Sequence, residues 1–128
     1  MSIEFAVTII QSTIGTKAAR VEVSGGLDPT TLDAFKEVLE KLLAKGAKNV
    51  IVDCTRTKFI SSSGLASLLN FTDRFEAEGG GMAITRAPHN VLRVIYLMGF
   101  DKHLNVFADD ATALVWFTGV ALKMYQDS

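Results

Sequence analysis

The chain has 128 residues, 48% apolar and 21% charged, with a formal net charge of −1. That balance belongs to an ordinary globular chain able to bury a core without disulfides or a structural metal, and it excludes a disordered one. No Lys/Arg block suggests a surface that tracks nucleic-acid phosphates, and no apolar run reaches the roughly 20 residues that insert across a bilayer.

Glu4 to Ile10 is rich in β-branched residues and reads as a strand. Gln11 to Lys17, with Ser, Thr and Gly15, is a turn. Beyond it Ala19, Val21 and Val23 alternate with Arg20, Glu22 and Ser24, the pattern of a half-buried strand, so the chain opens with a β-hairpin. Gly25-Gly26 breaks the second strand. Asp28, as N-cap, and Pro29, at the first helical position, start a helix whose Leu32, Phe35, Leu39, Leu42 and Leu43 share one face and which stops at Gly46. Val50-Ile51-Val52 is a central strand, covered on both sides. Phe59-Ile60 leads into Ser61-Ser62-Ser63-Gly64 and a second helix with Leu65, Leu68, Leu69, Thr72 and Phe75 on one face, closed by Gly79-Gly80-Gly81.

Met82 to Ile84 form the next strand. Pro88 opens a third helix carrying Val91, Val94, Ile95 and Met98, which stops near Gly99. Leu104 to Phe107 is a short last strand, and Asp109 or Asp110 caps a fourth helix from about Ala111. A hairpin followed by alternating helices and strands predicts an α/β fold with a mixed sheet and about four helices. In such folds function gathers in loops at the carboxyl ends of strands, here Gly25 to Thr31 and Thr55 to Gly64.

The three serines before Gly64 are the distinctive feature. Capping a helix uses one of them, and spacing alone leaves capping and a functional role both open. A hydrolase elbow needs Gly-x-Ser-x-Gly, but Ser61 stands two before Ser63 and Gly64 follows at once. No Gly-x-x-x-x-Gly-Lys-[Ser/Thr] phosphate loop exists either. Cys54, His89 and His103 are too scattered for a metal site, so no metal or cofactor is expected; Cys54 reads as a packed core residue. The N-terminal segment lacks the basic start and cleavage site of a signal peptide, and a cytoplasmic location is expected.

Ser24-Gly25, Leu27-Asp28, Val50-Ile51-Val52-Asp53, Phe59-Ile60-Ser61-Ser62-Ser63-Gly64-Leu65, Gly79-Gly80 and Met98-Gly99-Phe100 occur in that order. The pattern resembles the STAS domain of anti-sigma factor antagonists and covers about residues 4–117. The resemblance implies a single STAS domain over residues 1–128, with the last helix extending to about 125. It implies a non-enzymatic binding protein that takes an anti-sigma factor, often also a serine kinase, away from its sigma factor. Phosphorylation of the serine before the glycine ends binding, and a phosphatase restores it. That serine maps onto Ser63, with Ser62 as runner-up. Asp28, Ser61, Ser62, Ser63 and Gly64 then belong to the partner surface. The family usually has Asp where this chain has Ser61, which removes a negative charge beside the acceptor. The same domain also serves as a transporter-associated or scaffold module that binds a partner, nucleotide or lipid with no phosphorylation cycle.

The last helix carries Leu114, Val115, Trp116, Phe117, Val120, Leu122 and Met124, which point in several directions. One core-facing stripe does not hide them all. It is either tucked between other elements or leaves a patch for a partner or a homodimer.

Overall fold

The structure, a computed structural model, describes residues 3–127, without the side chains of Met124, Tyr125 and Asp127. Strands β1 (Ile3–Gln11) and β2 (Lys17–Leu27) form the expected hairpin, from Ile3 opposite Gly25 to Gln11 opposite Lys17. Gly15, at φ +94°, makes the tight turn between them. There follow α1 (Leu32–Ala44), β3 (Asn49–Asp53), β4 (Thr57–Ile60), α2 (Ser62–Ala77), β5 (Gly81–Thr85), α3 (His89–Leu97), a 3₁₀ turn (Phe100–Lys102), β6 (Asn105–Phe107) and α4 (Asp110–Asp127). The sheet runs β1-β2-β3-β5-β6, with β4 also paired to β2; β1–β2 is antiparallel and the other pairings are parallel. This is the mixed-sheet α/β fold with four helices that the sequence pattern predicts.

Strand alternation sorts the core into two layers. Ala19, Val21 and Val23 of β2, Val50 and Val52 of β3, and Met82 and Ile84 of β5 face the buried residues of α1, α2 and α3, among them Phe35, Leu39, Leu68, Phe75 and Ile95. Their neighbours Ala18, Ile51 and Ala83 face the other way, onto Ala113, Leu114 and Phe117 of α4. The helix with mixed apolar directions is therefore tucked against the second sheet face. Trp116 packs between Phe107 and Phe117, while Val115 (72% exposed) and Leu122 (59%) stay outside. Met124, the last apolar residue expected on that helix, lies outside the described side chains.

Three local expectations are corrected. Gly25-Gly26 does not end β2. The strand shifts register there, leaves β3, and continues to Leu27 beside β4, pairing Gly26 with Phe59 and Leu27 with Ile60. Any side chain at Gly26 would overlap the Phe59 ring, so the glycine serves a close approach within the sheet. Second, α1 begins at Leu32 with Thr31 at the N-cap position, so Asp28 is not its cap. Asp28 instead closes the preceding turn, its Oδ1 accepting from Thr30 N–H (2.7 Å), Thr30 Oγ1 (2.6 Å) and Thr31 N–H (3.2 Å). Third, Arg20 and Glu22 alternate on β2 like a solvent face, but the N-terminal end of α4 reaches across to Arg20, which also pairs with Glu22.

Candidate functional site

Leu27 pairs with Ile60 at the ends of β2 and β4, and Ser61 N–H donates to Leu27 C=O at 2.8 Å. The next residues on each strand, Asp28 and Ser61, therefore leave the sheet side by side. The two loops singled out from the sequence meet at one place.

Ser61, with extended φ −85° and ψ 169°, is the N-cap of α2, and its Oγ accepts from Gly64 N–H at 3.1 Å. One of the three serines thus does the capping. Ser62 is exposed. Ser63, the second helical residue, is half-buried, with its Oγ 2.9 Å from Ser61 Oγ. Gly64 is buried, and a Cβ there would lie 2.9 Å from Ile60 Cγ1 and 3.1 Å from Leu27 C=O. Its absence lets the first turn of α2 settle on the strand ends and sets how far Ser63 projects.

Electrostatics at this end favour an anion. The first turn of α2 holds no acidic residue, and its free N–H groups carry the positive end of the helix dipole. Below Ser63, a shallow groove of about 320 Å³ runs between α1 and α2, lined by Leu32, Lys36, Ser63, Ala66, Ser67 and Asn70. Ser67 Oγ is buried there without a hydrogen-bond partner among the described residues. Across the loop junction, the hydrogen bond from the Thr30 hydroxyl, with those from the Thr30 and Thr31 backbone, holds the Asp28 carboxyl below its ordinary pKa. Asp28 is therefore an anion beside the serine loop at neutral pH.

A second polar cluster, on the opposite sheet face, was not anticipated from sequence. Arg20 donates from Nε to Asp110 (2.9 Å), from Nη1 to Glu22 (3.3 Å) and from Nη2 to Asp53. Asp53 is fully buried, and Asp110 also accepts from Thr85 Oγ1 at 2.8 Å. Arg86, at φ +54°, stands 3.9 Å from Asp53 and 4.0 Å from Asp110. Burial works against the Asp53 carboxylate, but the Thr55 hydroxyl and N–H, together with Arg20, outweigh it and keep its pKa below the ordinary value. The cluster fastens α4 to β2, β3 and β5. Cys54 beside it is buried, and burial pushes its thiol pKa up to about 11, so it behaves as a core residue.

Among the described residues no group of three or more His, Cys, Asp or Glu side chains is placed to hold a metal, and no helix is long and apolar enough to cross a membrane.

A family sequence model described as the STAS domain matches residues 10–113. No curated protein matches the chain in sequence. Among solved structures, an anti-sigma factor antagonist from Mycobacterium paratuberculosis superposes with a TM-score of 0.78 at 24% identity, covering 91% of this chain and 95% of that one. The Bacillus cell fate determinant SpoIIAA in its phosphorylated form gives a TM-score of 0.58 at 17% identity, over 84% of this chain and 96% of its own. At these identities the likenesses establish the shared fold.

Proposed function

The chain belongs to the STAS domain family, and from that premise we propose that it is an anti-sigma factor antagonist switched off by phosphorylation of Ser63. In this reading it binds an anti-sigma factor that is also a serine kinase, and so frees the sigma factor. It catalyses nothing itself; its serine is the kinase's substrate, and a phosphatase reverses the modification. The observation that carries the reading is the position of Ser63 Oγ. Its residue is half-buried on the first turn of α2, beside the Asp28 loop, at the carboxyl ends of β2 and β4. A structural relative described as an anti-sigma factor antagonist lends support, as does the cell fate determinant SpoIIAA, whose structure is of a phosphorylated form.

A phosphate on Ser63 adds about −1.5 to −2 charges at neutral pH. The helix terminus favours such an anion by about 0.3–1 kcal/mol, so the modified protein stays folded. Ser61 presents a neutral hydroxyl where the family usually has a carboxylate, so it adds no repulsion to the phosphate. The switch therefore acts on the partner. A partner carboxylate about 5 Å away, at an effective dielectric near 20, is repelled by roughly 3 kcal/mol per unit charge, or about a hundredfold in affinity. Asp28, Ser61 and Ser62 complete the docking surface; Gly64, expected on it from the family resemblance, is buried and supports Ser63 from beneath instead. Asp28→Asn keeps an oxygen acceptor for the Thr30 turn while removing the charge; it is expected to weaken partner binding without lowering the melting temperature appreciably. Intact mass of the protein purified from its own source tests the modification. One added phosphoryl group, absent in Ser63→Ala, is expected, and a phosphoryl group that persists in Ser63→Ala refutes the assignment.

A further inference from the structure

Among the described residues, strand β1 is the outer strand of the sheet, hydrogen-bonded along one side only, to β2. In an antiparallel edge about every second residue turns both its N–H and C=O outward, so β1 presents a row of open backbone groups some nine residues long. Edges of this kind are normally guarded by lysine, proline, a bulge or a covering element. The segment Ile3-Glu4-Phe5-Ala6-Val7-Thr8-Ile9-Ile10-Gln11 has no lysine, arginine, proline or glycine, and its pairing with β2 runs without a bulge. Val7 is 46% exposed and Ile9 67%.

The same segment is complementary to itself. Laid antiparallel on a copy about a two-fold axis at Val7, it sets Val7 against Val7, Phe5 against Ile9, Ala6 against Thr8 and Ile3 against Gln11. Each pair lies on the same sheet face in both copies. The strand's one charge, Glu4, falls opposite Ile10, so no charge faces a charge. Aromatic and β-branched side chains directly opposite each other are favourable cross-strand pairs.

We propose that β1 pairs with β1 of a second copy, joining two sheets into one continuous sheet across a two-fold axis. The contact closes on itself, because each copy uses its single free long edge. It uses none of residues 61–64, so both serine sites stay open in the dimer, and the proposal stands apart from the phosphorylation reading.

Sedimentation equilibrium of the purified chain, with Val7→Lys, Val7→Glu and their equimolar mixture, tests this. Val7 is surface-exposed in the single chain, so circular dichroism of both variants should match the wild type. The wild type is expected to form a dimer. Each variant alone should associate at least about tenfold more weakly, because like charges then meet at the axis. The mixture should recover the dimer, because Lys then meets Glu. A wild type that stays monomeric up to about 0.5 mM overturns the proposal. So do variants that dimerise as well as wild type, which would move the contact elsewhere, for instance to Val115 and Leu122 on α4. A mixture that fails to recover also overturns it.

Discussion

Replacing Arg20 with Met probes how α4 is held to the sheet. In the wild type the Asp53 carboxylate is fully buried. Its Oδ1 accepts from Thr55 N–H (2.9 Å) and Thr55 Oγ1 (2.6 Å), and its Oδ2 accepts from Arg20. The substitution leaves Oδ2 with only Arg86, 3.9 Å away. Asp110 loses the Arg20 Nε donor and keeps Thr85. Removing one partner of a buried ion pair costs about 3–5 kcal/mol. Arg86 is near enough to compensate in part, and Asp110 is not fully buried, so the expected loss is about 3 kcal/mol at pH 7, a large share of a typical domain's stability.

The pH dependence identifies the cause. The wild-type Asp53 pKa lies below its ordinary value of 3.8, so its stabilising contribution is fully present above that value and is lost only as pH falls through the lower folded pKa. Without Arg20, its charge and hydrogen bond no longer offset burial, so the carboxyl pKa rises relative to the wild type. Protonation then relieves the variant as pH falls, and the gap between the two proteins narrows from pH 7 toward pH 4. Urea unfolding across that range measures it. A loss below about 1 kcal/mol, or a gap constant with pH, refutes the reasoning.

Two further substitutions test the local architecture. Ser61→Ala removes the N-cap of α2 and is expected to cost about 1 kcal/mol in thermal unfolding, while Ser61→Asp retains a capping oxygen and most of the stability. Ser62→Ala, at an exposed position with no capping duty, serves as the unaffected control. Gly26→Ala is expected to lower stability by about 1–3 kcal/mol because its methyl group meets the Phe59 ring, and adding Phe59→Leu should recover part of that loss in urea unfolding.

Much of the fold was legible because the signals were local. The alternation of Ala19, Val21 and Val23, the helical spacing of Leu32, Phe35 and Leu39, and the apolar run Val50-Ile51-Val52 each fix an element from neighbouring residues alone. What escaped depends on distant partners. Thr57 to Ile60 shows no strand periodicity and becomes β4 because the shifted end of β2 offers it an edge. Gly26 looks like a breaker unless Phe59 is known to lie beneath it. Arg20 looks solvated until α4, some 90 residues later in the chain, brings Asp110 onto it. The serine loop was placed correctly at a strand-to-helix junction, since capping chemistry and glycine spacing are local. Which serine caps, with Ser61 at the N-cap and Ser63 two residues further on as the second helical residue, follows from the backbone angles at Ser61.

The most direct test of the switch compares the anti-sigma factor's affinity, by titration calorimetry, for the unmodified chain and for the chain carrying phosphoserine encoded at position 63. Tight binding of the unmodified form and roughly hundredfold weaker binding of the phosphorylated form is the expected result. Equal affinities, or no binding by either form, would contradict it.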